Sequence, residues 1–205
     1  MPDSYTEEQL EGYYRREPEA TNKAILAFLR DARNPHMIVF GAQALNTHLP
    51  DWLDRETKDW DVVTVGDAQK LATQLENLLD RRYNGDFFNV EPAIHPGTFK
   101  VKSKVTGSTV ADITLKDKEI EFHRIKGVNY ASLDWLEGEA EKLIANPETE
   151  FRRAKDKDTL QRIRVFRQYK RKGGRGRGIG RGVRGGRSSR YIDGSSVDTS
   201  MRGLR

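Results

Sequence analysis

Two aspartates separated by one residue, Asp59 and Asp61, are the side chains of this sequence best suited to chemistry. They flank Trp60 and lead into the apolar run Val62 to Val65, so we expect both at the start of a β-strand. Side chains alternate along a strand, which sends Asp59 and Asp61 to one face and Trp60 to the other. Two like charges held together are unfavourable unless a cation lies between them. Mg²⁺ is the cation that takes carboxylate and phosphate oxygens as ligands.

A third carboxylate, Asp112, lies in a later β-like run from Thr109 to Leu115. An aspartate among apolar strand residues is costly to bury without a partner. If this strand lies beside the Asp61 strand, the three aspartates converge and can share two Mg²⁺ ions (or Mn²⁺), which would activate a hydroxyl and stabilise a leaving pyrophosphate. The alternative is a surface strand edge, with Asp112 in an ion pair.

A glycine turn precedes these aspartates. The apolar run Met37 to Phe40 predicts a strand, Gly41-Ala42 a turn, and the apolar spacing up to Leu49 a short helix. The N–H groups of such a turn, together with the dipole of the helix behind it, would favour a triphosphate. Asn46 on this helix is expected to hydrogen-bond backbone and fix the following loop.

Two basic residues are candidates for holding the nucleotide. Arg55 precedes the aspartates and could neutralise phosphate charge with a forked contact; the alternative is a surface ion pair with Glu56 or Asp54. Lys155 could contact phosphate, with Asp158 as the residue that orients it. An ordinary helical pair between Lys155 and Asp158 is the alternative.

The remaining pattern predicts an α/β (α+β) fold, a small mixed β-sheet flanked by helices. Strands are predicted over 87–93, 98–106, 109–115 and 119–125, with a tight hairpin at Gly107-Ser108. Helices are predicted over 6–16, from 21, over 67–82 and 132–145, and from 147 onward. Alternation in the second strand predicts one wet face that bears Lys100, Lys102 and Lys104. The three tryptophans (Trp52, Trp60 and Trp135) are predicted to be core or half-buried, and the four histidines show no metal-binding spacing.

Composition limits the classes of protein that remain. The chain has 205 residues, 36% hydrophobic content and no cysteine, which excludes disulfides, thiolate zinc sites and cysteine nucleophiles. Mean hydropathy is −0.78 and no apolar run approaches the roughly 20 residues that span a bilayer. We therefore expect a soluble intracellular protein, cytoplasmic or nuclear and not secreted. Oligomeric state is not indicated.

Charge is distributed unevenly along the chain. The net charge is +5, yet the last 35 residues, from Arg171 onward, carry ten Lys and Arg against two Asp and Glu. The same segment contains ten of the eighteen glycines. This composition predicts a segment that is disordered when free and binds single-stranded RNA through arginines interleaved with glycine. The arginines are Arg175, Arg177, Arg181, Arg184 and Arg187. The alternative is a merely solubilising tail. The predicted organisation is 1–35 as N-terminal helices, 36–169 as the main domain and 170–205 as the basic tail.

The segment from Gly41-Ala42 through Asp59-Trp60-Asp61 to Asp112 resembles the nucleotidyltransferase superfamily of DNA polymerase β type. The run GAQALNTHL followed by RETKDWDVV is most similar to the branch of viral poly(A) polymerase catalytic subunits and their small relatives. The resemblance covers residues 37 to 115 and extends more weakly to residues 151 to 163. It implies a mixed sheet with flanking helices, two Mg²⁺ ions and a nucleoside triphosphate donor such as ATP. Ala42 stands where the family usually has glycine or serine.

These observations predict an enzyme that adds nucleoside monophosphates, with adenylate as the first candidate, to an RNA 3′ end. Asp59 and Asp61 would bind both metal ions and Asp112 the catalytic one, while Gly41, Ala42, Arg55 and Lys155 would hold the triphosphate. Two alternatives stay open. One is transfer of a nucleotide to protein, and the other is an inactive domain of the same fold that is tethered to RNA by its basic tail.

Overall fold

Seven strands form one mixed sheet within the residues that the structure, a computed structural model, describes: 5–16, 19–34 and 36–174. The strands are β1 (Ile38–Phe40), β2 (Trp60–Thr64), β3 (Phe88–Pro92), β4 (Thr98–Ser103), β5 (Thr109–Leu115), β6 (Phe122–Ile125) and β7 (Val128–Ala131). Side by side, their order is β3-β4-β5-β2-β1-β7-β6. This arrangement confirms the predicted α/β fold class.

Helices connect and cover these strands. They are α1 (Glu7–Arg16), α2 (Glu19–Arg30), α3 (Gly41–His48), α4 (Ala68–Tyr83), α5 (Leu133–Ala145) and α6 (Arg153–Arg171), with short 3-10 helices at Asp51–Leu53 and Pro147–Arg152. Helix α4 packs on β3, β4 and β5, whereas α3 packs on β1 and β2 and α5 contacts both α3 and α6. The sheet and its helices therefore bury one continuous core, to which α1 and α2 contribute through Tyr13, Ile25 and Phe28.

Local signals in the sequence account for the helix ends. Helix α4 begins after Asp67, whose carboxylate accepts a hydrogen bond from the Lys70 N–H at 2.9 Å. It ends at Asn84, which adopts the left-handed conformation common at helix C-termini. Helix α5 begins after Ser132, whose hydroxyl accepts from the Trp135 N–H at 3.0 Å. These caps explain why both helices lie within a residue of their predicted bounds.

One strand was missing from the sequence prediction. Strand β7 has only four residues, all buried, and lies parallel to β1 in the interior of the sheet. Its sequence Val-Asn-Tyr-Ala has no alternation to distinguish it, and the cap of α5 follows it at once. The signal that could have found it is the two-residue turn at Lys126 and Gly127, where both residues have positive φ.

Two other sequence predictions were wrong. The predicted last helix is divided, because a 3-10 segment that contains the non-helical Thr149 precedes α6. Trp52 was expected to be at least half-buried but is 60% exposed, and it packs only edgewise against the ring of Tyr169. Trp60, in contrast, is buried, and its indole N–H donates to Asn22 at 2.9 Å.

The predicted lysine face of β4 holds for two of its three lysines. Lys100 and Lys102 share one face of the strand, the face on which Glu91 of β3 lies. Lys104 follows the end of β4, forms an ion pair with Asp86 and lies among the acidic residues of α4, on the other side of the sheet. A register shift between Val101 and Lys102 and the end of the strand at Ser103 break the alternation.

In the described part of the chain, no helix combines the length and the apolar character needed to cross a membrane.

Candidate active site

Asp61 and Asp112 lie directly opposite each other on neighbouring strands. Strands β2 and β5 are parallel, and their register pairs Asp61 with Asp112. Neighbouring strands are about 4.8 Å apart, and residues opposite each other project from the same face of a sheet. Two carboxylates that are 51 positions apart in sequence are thus adjacent in space, as the sequence predicted if β5 paired with β2.

Asp59 lies just outside the strand. The sequence predicted that β2 would include Asp59, but the strand begins one residue later, at Trp60. The hydroxyl of Thr57 donates to the Asp59 backbone oxygen at 3.2 Å and to its Oδ1 at 3.3 Å. The charge of Asp59 acts on both Asp61 and Asp112. The three predicted aspartates therefore form one electrostatic group at the start of β2.

Burial makes the charged form of this group unfavourable. Burial, followed by repulsion from Asp59, raises the pKa of Asp61 to about 6. Burial also raises the pKa of Asp112, against the opposing effect of Lys100. Oδ1 of Asp112 is buried and has no hydrogen-bond partner within the described structure. A carboxylate oxygen that is buried in this way is costly, which favours an additional cation at the site.

Gly41 connects the carboxylates to the neighbouring helix. It has φ +65° and follows Phe40, which is the register partner of Asp61 on β1. A Cβ built on Gly41 would overlap with Oδ2 of Asp61, so any side chain here would displace that carboxylate. A left-handed backbone conformation adds a second reason for glycine.

The predicted Gly41-Ala42 turn is in fact the first turn of α3, which begins at Gly41. The first N–H groups of a helix have no acceptor within the helix, and the residue before α3, Phe40, gives them no side-chain cap. Ala42 is 3% exposed, so its methyl group faces the interior and offers no contact to a ligand. The positive end of α3 therefore lies beside Asp61.

Arg55 is held in place from two sides. The side chain of Asn46 accepts from the Arg55 N–H at 2.9 Å and donates to its carbonyl at 2.7 Å, which is the backbone role predicted for Asn46. The Arg55 guanidinium donates to the Thr159 hydroxyl of α6 at 3.1 Å. Burial lowers the pKa of Arg55, against the opposing charges of Asp158 and Asp61.

Helix α6 fixes the segment before Arg55. The guanidinium of Arg162 donates to the carbonyls of Leu53 and Asp54 at 2.8 and 2.9 Å, and to Asp158 at 2.8 Å. Arg162 thereby joins α6 to the chain that leads from α3 to β2. Asp158 is thus the partner of Arg162 and not, as predicted, a residue that orients Lys155.

Lys155 lies near the carboxylates all the same. Its charge lowers the pKa of both Asp61 and Asp112, and the charge of Arg152 acts on Asp61 in the same direction. Arg152 also forms an ion pair with the buried Asp156 at 3.0 Å. The start of α6 thus contributes two cations, of which the sequence reasoning found Lys155 and missed Arg152.

A further basic residue was missed as part of the site. Lys100 of β4 is the register partner of Asp112, and its Nζ lies 3.5 Å from Oδ2 of Asp112. The tight turn predicted at Gly107-Ser108 would pair Asp112 with Ser103, whereas the observed connection is longer and the register shifts after Val101, so the sequence did not reveal Lys100 as the partner.

The described residues contain no group of three or more His, Asp or Glu side chains that could hold a metal ion in the arrangement observed. Asp112 directs Oδ2 to Lys100. The donor set nevertheless fits a divalent cation, because the three acidic side chains supply oxygen ligands and Asp112 retains a buried oxygen without a partner.

The predicted RNA-binding residues are not part of the structural description. The arginines from Arg175 to Arg187 lie outside the described residues. His48 is buried, its Nε2 lies 2.8 Å from the Ala131 carbonyl, and burial lowers its pKa.

Comparison with known proteins places this geometry among solved structures. No protein-family model matches the chain, and no curated protein matches it significantly. The polyadenylate synthase of Megavirus superimposes with a TM-score of 0.61 at 16% sequence identity, over 82% of this chain and 39% of that one. A nucleotidyltransferase-like protein of Paracoccidioides brasiliensis matches at 15% identity over 72% and 76% of the two chains, with a TM-score of 0.40. ANT(2″)-Ia matches at 12% identity over 74% and 98%, with a TM-score of 0.38.

The chain spans 39% of the Megavirus enzyme chain, and the similarity between the two is one of fold alone. The glycine at the start of α3 and the pairing of β2 with β5 agree with the resemblance noted in the sequence. The fold of this chain is nucleotidyltransferase-like.

Proposed function

We propose that this protein is a Mg²⁺-dependent nucleotidyltransferase that transfers a nucleoside monophosphate, with adenylate as the first candidate, from a nucleoside triphosphate to an RNA 3′ end. The observation that carries the proposal is the register of Asp61 with Asp112, with Asp59 two positions before Asp61 and the start of α3 alongside. An acidic group of this kind beside a helix N-terminus suits a polyphosphate bound through divalent cations.

Asp59, Asp61 and Asp112 would hold the metal ions. When bound, two such ions activate the attacking hydroxyl and stabilise the leaving oxygen of the displaced pyrophosphate. The chain's own part begins with the orientation of the carboxylates. Gly41 leaves room for the Asp61 carboxylate, and Thr57 holds that of Asp59.

The triphosphate would be held by the start of α3 and by two basic side chains. The first residue of α3 lies beside Asp61, and Asp61 interacts electrostatically with both Arg55 and Lys155. Asn46 fixes the backbone of Arg55 and Thr159 accepts from its guanidinium, which reduces the entropy that the Arg55 side chain would lose when phosphate binds.

The reaction is a displacement at the α-phosphorus. The 3′ oxygen of the acceptor forms a bond to that phosphorus, the bond to the β-phosphate oxygen breaks, and pyrophosphate leaves with the bonding electron pair. Asp112, whose pKa is raised and whose Oδ1 has no partner in the described structure, is the group placed to accept the hydroxyl proton before it passes to solvent.

The RNA acceptor is proposed on separate grounds. The Arg/Gly-rich sequence from Arg175 to Arg187 has the composition of a segment that binds single-stranded nucleic acid. Transfer to protein is the second candidate function, since none of the contacts around the three aspartates depends on the acceptor.

Incubation of the full chain with each labelled nucleoside triphosphate, Mg²⁺ and either oligo-RNA or protein acceptors tests the proposal. The wild type should extend RNA, and Asp59→Ala/Asp61→Ala should lower the rate by at least about a hundredfold, because two metal-binding carboxylates are removed. Extension that survives the double substitution would refute the site. Label found only on protein would favour the second candidate.

A further inference from the structure

The lysine-bearing face of β3, β4 and β5 continues directly from the proposed active site. A single row of residues crosses four neighbouring strands in register: Glu91, Lys100, Asp112 and Asp61. The row alternates in sign up to Asp112 and ends on the two aspartates. A ligand bound along this row would therefore end at Asp112 and Asp61, where the proposed function places the reacting atoms.

This face is open within the described structure. Helix α4 covers the other face of the same three strands, where Val101 and Phe88 are fully buried. On the open face the side chains of Lys100 and Lys102 are 38% and 29% exposed, and that of Glu91 is 46% exposed. No second helix packs on these strands to a comparable extent in the part of the chain that the structure describes.

The polar groups of the open face form a connected set. Lys102 lies 3.0 Å from Glu91, which also accepts from the Asn89 side chain at 2.8 Å. Next to the Lys100–Asp112 pair, the hydroxyls of Thr98 and Thr114 lie 3.1 Å apart. Thr98 is buried, so the groups of this face that can contact phosphodiester and ribose oxygens are the two lysines, the Asn89 amide and the Thr114 hydroxyl.

The two lysines differ in how firmly their partners hold them. At 3.5 Å, the distance from Lys100 to Asp112 is longer than the 2.7–2.9 Å of a strong charge-assisted hydrogen bond. A divalent cation that took Asp112 as a ligand would compete with Lys100 for that carboxylate. Without Asp112 as its partner, Lys100 would be free at the edge of the active site.

We propose that the open face of β3, β4 and β5 binds the sugar–phosphate backbone of the RNA acceptor, with Lys100 at its 3′-terminal phosphodiester and Lys102 one position upstream. The inference rests on the proposed function and names the surface that receives its substrate. The Arg/Gly-rich sequence would supply affinity elsewhere on the RNA, whereas these lysines would position the 3′ end.

Salt dependence of RNA binding by the full chain tests the surface without relying on catalysis. The logarithm of RNA affinity falls with the logarithm of salt concentration, by about 0.7 for each phosphate contact to a single strand. In Mg²⁺, Lys100→Met/Lys102→Met should reduce that slope by about 1.4 relative to wild type. Lys104→Met is the control, because it removes one lysine charge from the same segment but on the α4 side, and it should leave the slope unchanged.

Two further readouts separate a contact with RNA from a general decrease in charge. An oligo-RNA with a photoreactive base at its 3′ end should cross-link within residues 88–115 of the wild type and should not do so in Lys100→Met/Lys102→Met. In the extension assay, Lys102→Met should raise KM for RNA at least about fivefold, with a smaller change in KM for the nucleotide, because its partner Glu91 is not one of the three aspartates.

The outcomes distinguish the two proposals. If RNA is extended but the slope and cross-link of the double variant match those of Lys104→Met, the surface is refuted and the proposed function stands. If the cross-link and slope respond as expected but no nucleotide is transferred, the proposed function fails and the RNA surface remains. A changed KM for a protein acceptor without any effect on RNA would assign the face to protein instead.

Discussion

Asp61 is the residue at which charge and burial are in the strongest conflict. Its pKa is raised to about 6 from an ordinary 3.8, because the carboxylate is buried and lies near Asp59. A raised carboxylate pKa means that the folded chain binds more protons than the unfolded chain between these two values. The free energy of unfolding therefore falls as pH rises from about 4 to 6, and the full cost is present above that window.

We predict that Asp61→Asn stabilises the metal-free protein above pH 6. The amide carries no charge, so the substitution removes a penalty of up to about 3 kcal/mol for a two-unit shift. Urea unfolding at pH 4 and pH 8 measures the effect, which should be confined to the higher pH.

Asp31→Asn serves as a control of opposite sign. Hydrogen bonds from Arg33 lower the pKa of Asp31 to about 2, so this substitution should not raise stability at pH 8. Two results would contradict the proposed electrostatic cost at Asp61. One is an equal stabilisation by Asp31→Asn, and the other is no stabilisation by Asp61→Asn.

At the residue scale the sequence revealed the acidic side chains better than the basic ones. Asp59, Asp61 and Asp112 stand out because a charge inside an apolar run is conspicuous. Lys100 does not stand out, because a lysine on the wet side of an alternating strand is ordinary. Its position opposite Asp112 follows only from the pairing of β4 with β5, which the register shift after Val101 makes hard to extrapolate.

At the scale of elements, the start of α3 is the feature that connects sequence to chemistry. The helix begins directly at the end of β1, without an intervening loop, and Gly41 makes this possible by adopting φ +65°. The same residue lacks the Cβ that would meet Asp61. One glycine therefore sets both the direction of the helix N–H groups and the place of a carboxylate.

We predict that Gly41→Ala abolishes nucleotide transfer and lowers the free energy of unfolding by about 1 kcal/mol or more, because the left-handed backbone is unfavourable for alanine and the methyl group overlaps with Asp61. Gly138→Ala is the matched control. Gly138 lies inside α5 with no atom near its Cβ position, so alanine should stabilise that helix by about 0.5–1 kcal/mol and leave transfer unchanged. Equal effects of the two variants, measured by unfolding and by the extension assay, would contradict this account of Gly41.

Elements with strong local signals were predicted, and elements defined by their neighbours were not. Strand β5 was found at its observed bounds from its alternation, and α4 from its cap and its apolar stripe. Strand β7 was missed because four buried residues carry no period, and its place beside β1 is decided by packing. The division before α6 at Thr149 likewise has no clear mark in the sequence.

At the scale of the whole molecule, the proposed site is assembled from segments that lie far apart in the sequence. The start of α3 supplies the glycine, Asp59 and Asp61 lie just before and within β2, and β5 supplies Asp112, while α6 adds Lys155 and holds Arg55 through Thr159. The basic sequence that follows α6 begins within a few residues of the helix end at Arg171. In the sequence, the Arg/Gly-rich segment therefore follows α6, an element of the proposed site.

We predict that replacing the five arginines Arg175, Arg177, Arg181, Arg184 and Arg187 with glutamine weakens RNA binding and makes it less dependent on salt. The slope should fall by about 0.7 for each phosphate that the variant no longer binds. Filter binding over a range of salt concentrations measures the change. The nucleotide KM should stay as in wild type, because we propose that Arg55 and α3, not these arginines, bind the nucleotide. RNA affinity that is indifferent to all five substitutions would leave the tail with a solubilising role.

The central claim is that three acidic side chains gather divalent cations beside the start of α3. Mn²⁺ binding by the full chain, followed by paramagnetic resonance in the presence of a non-hydrolysable triphosphate analogue, tests it most directly. The wild type should bind about two Mn²⁺ ions in excess of those bound by the analogue alone. Asp59→Asn/Asp61→Asn/Asp112→Asn should bind none of these ions while remaining folded. The same stoichiometry in the triple variant as in the wild type would contradict the account.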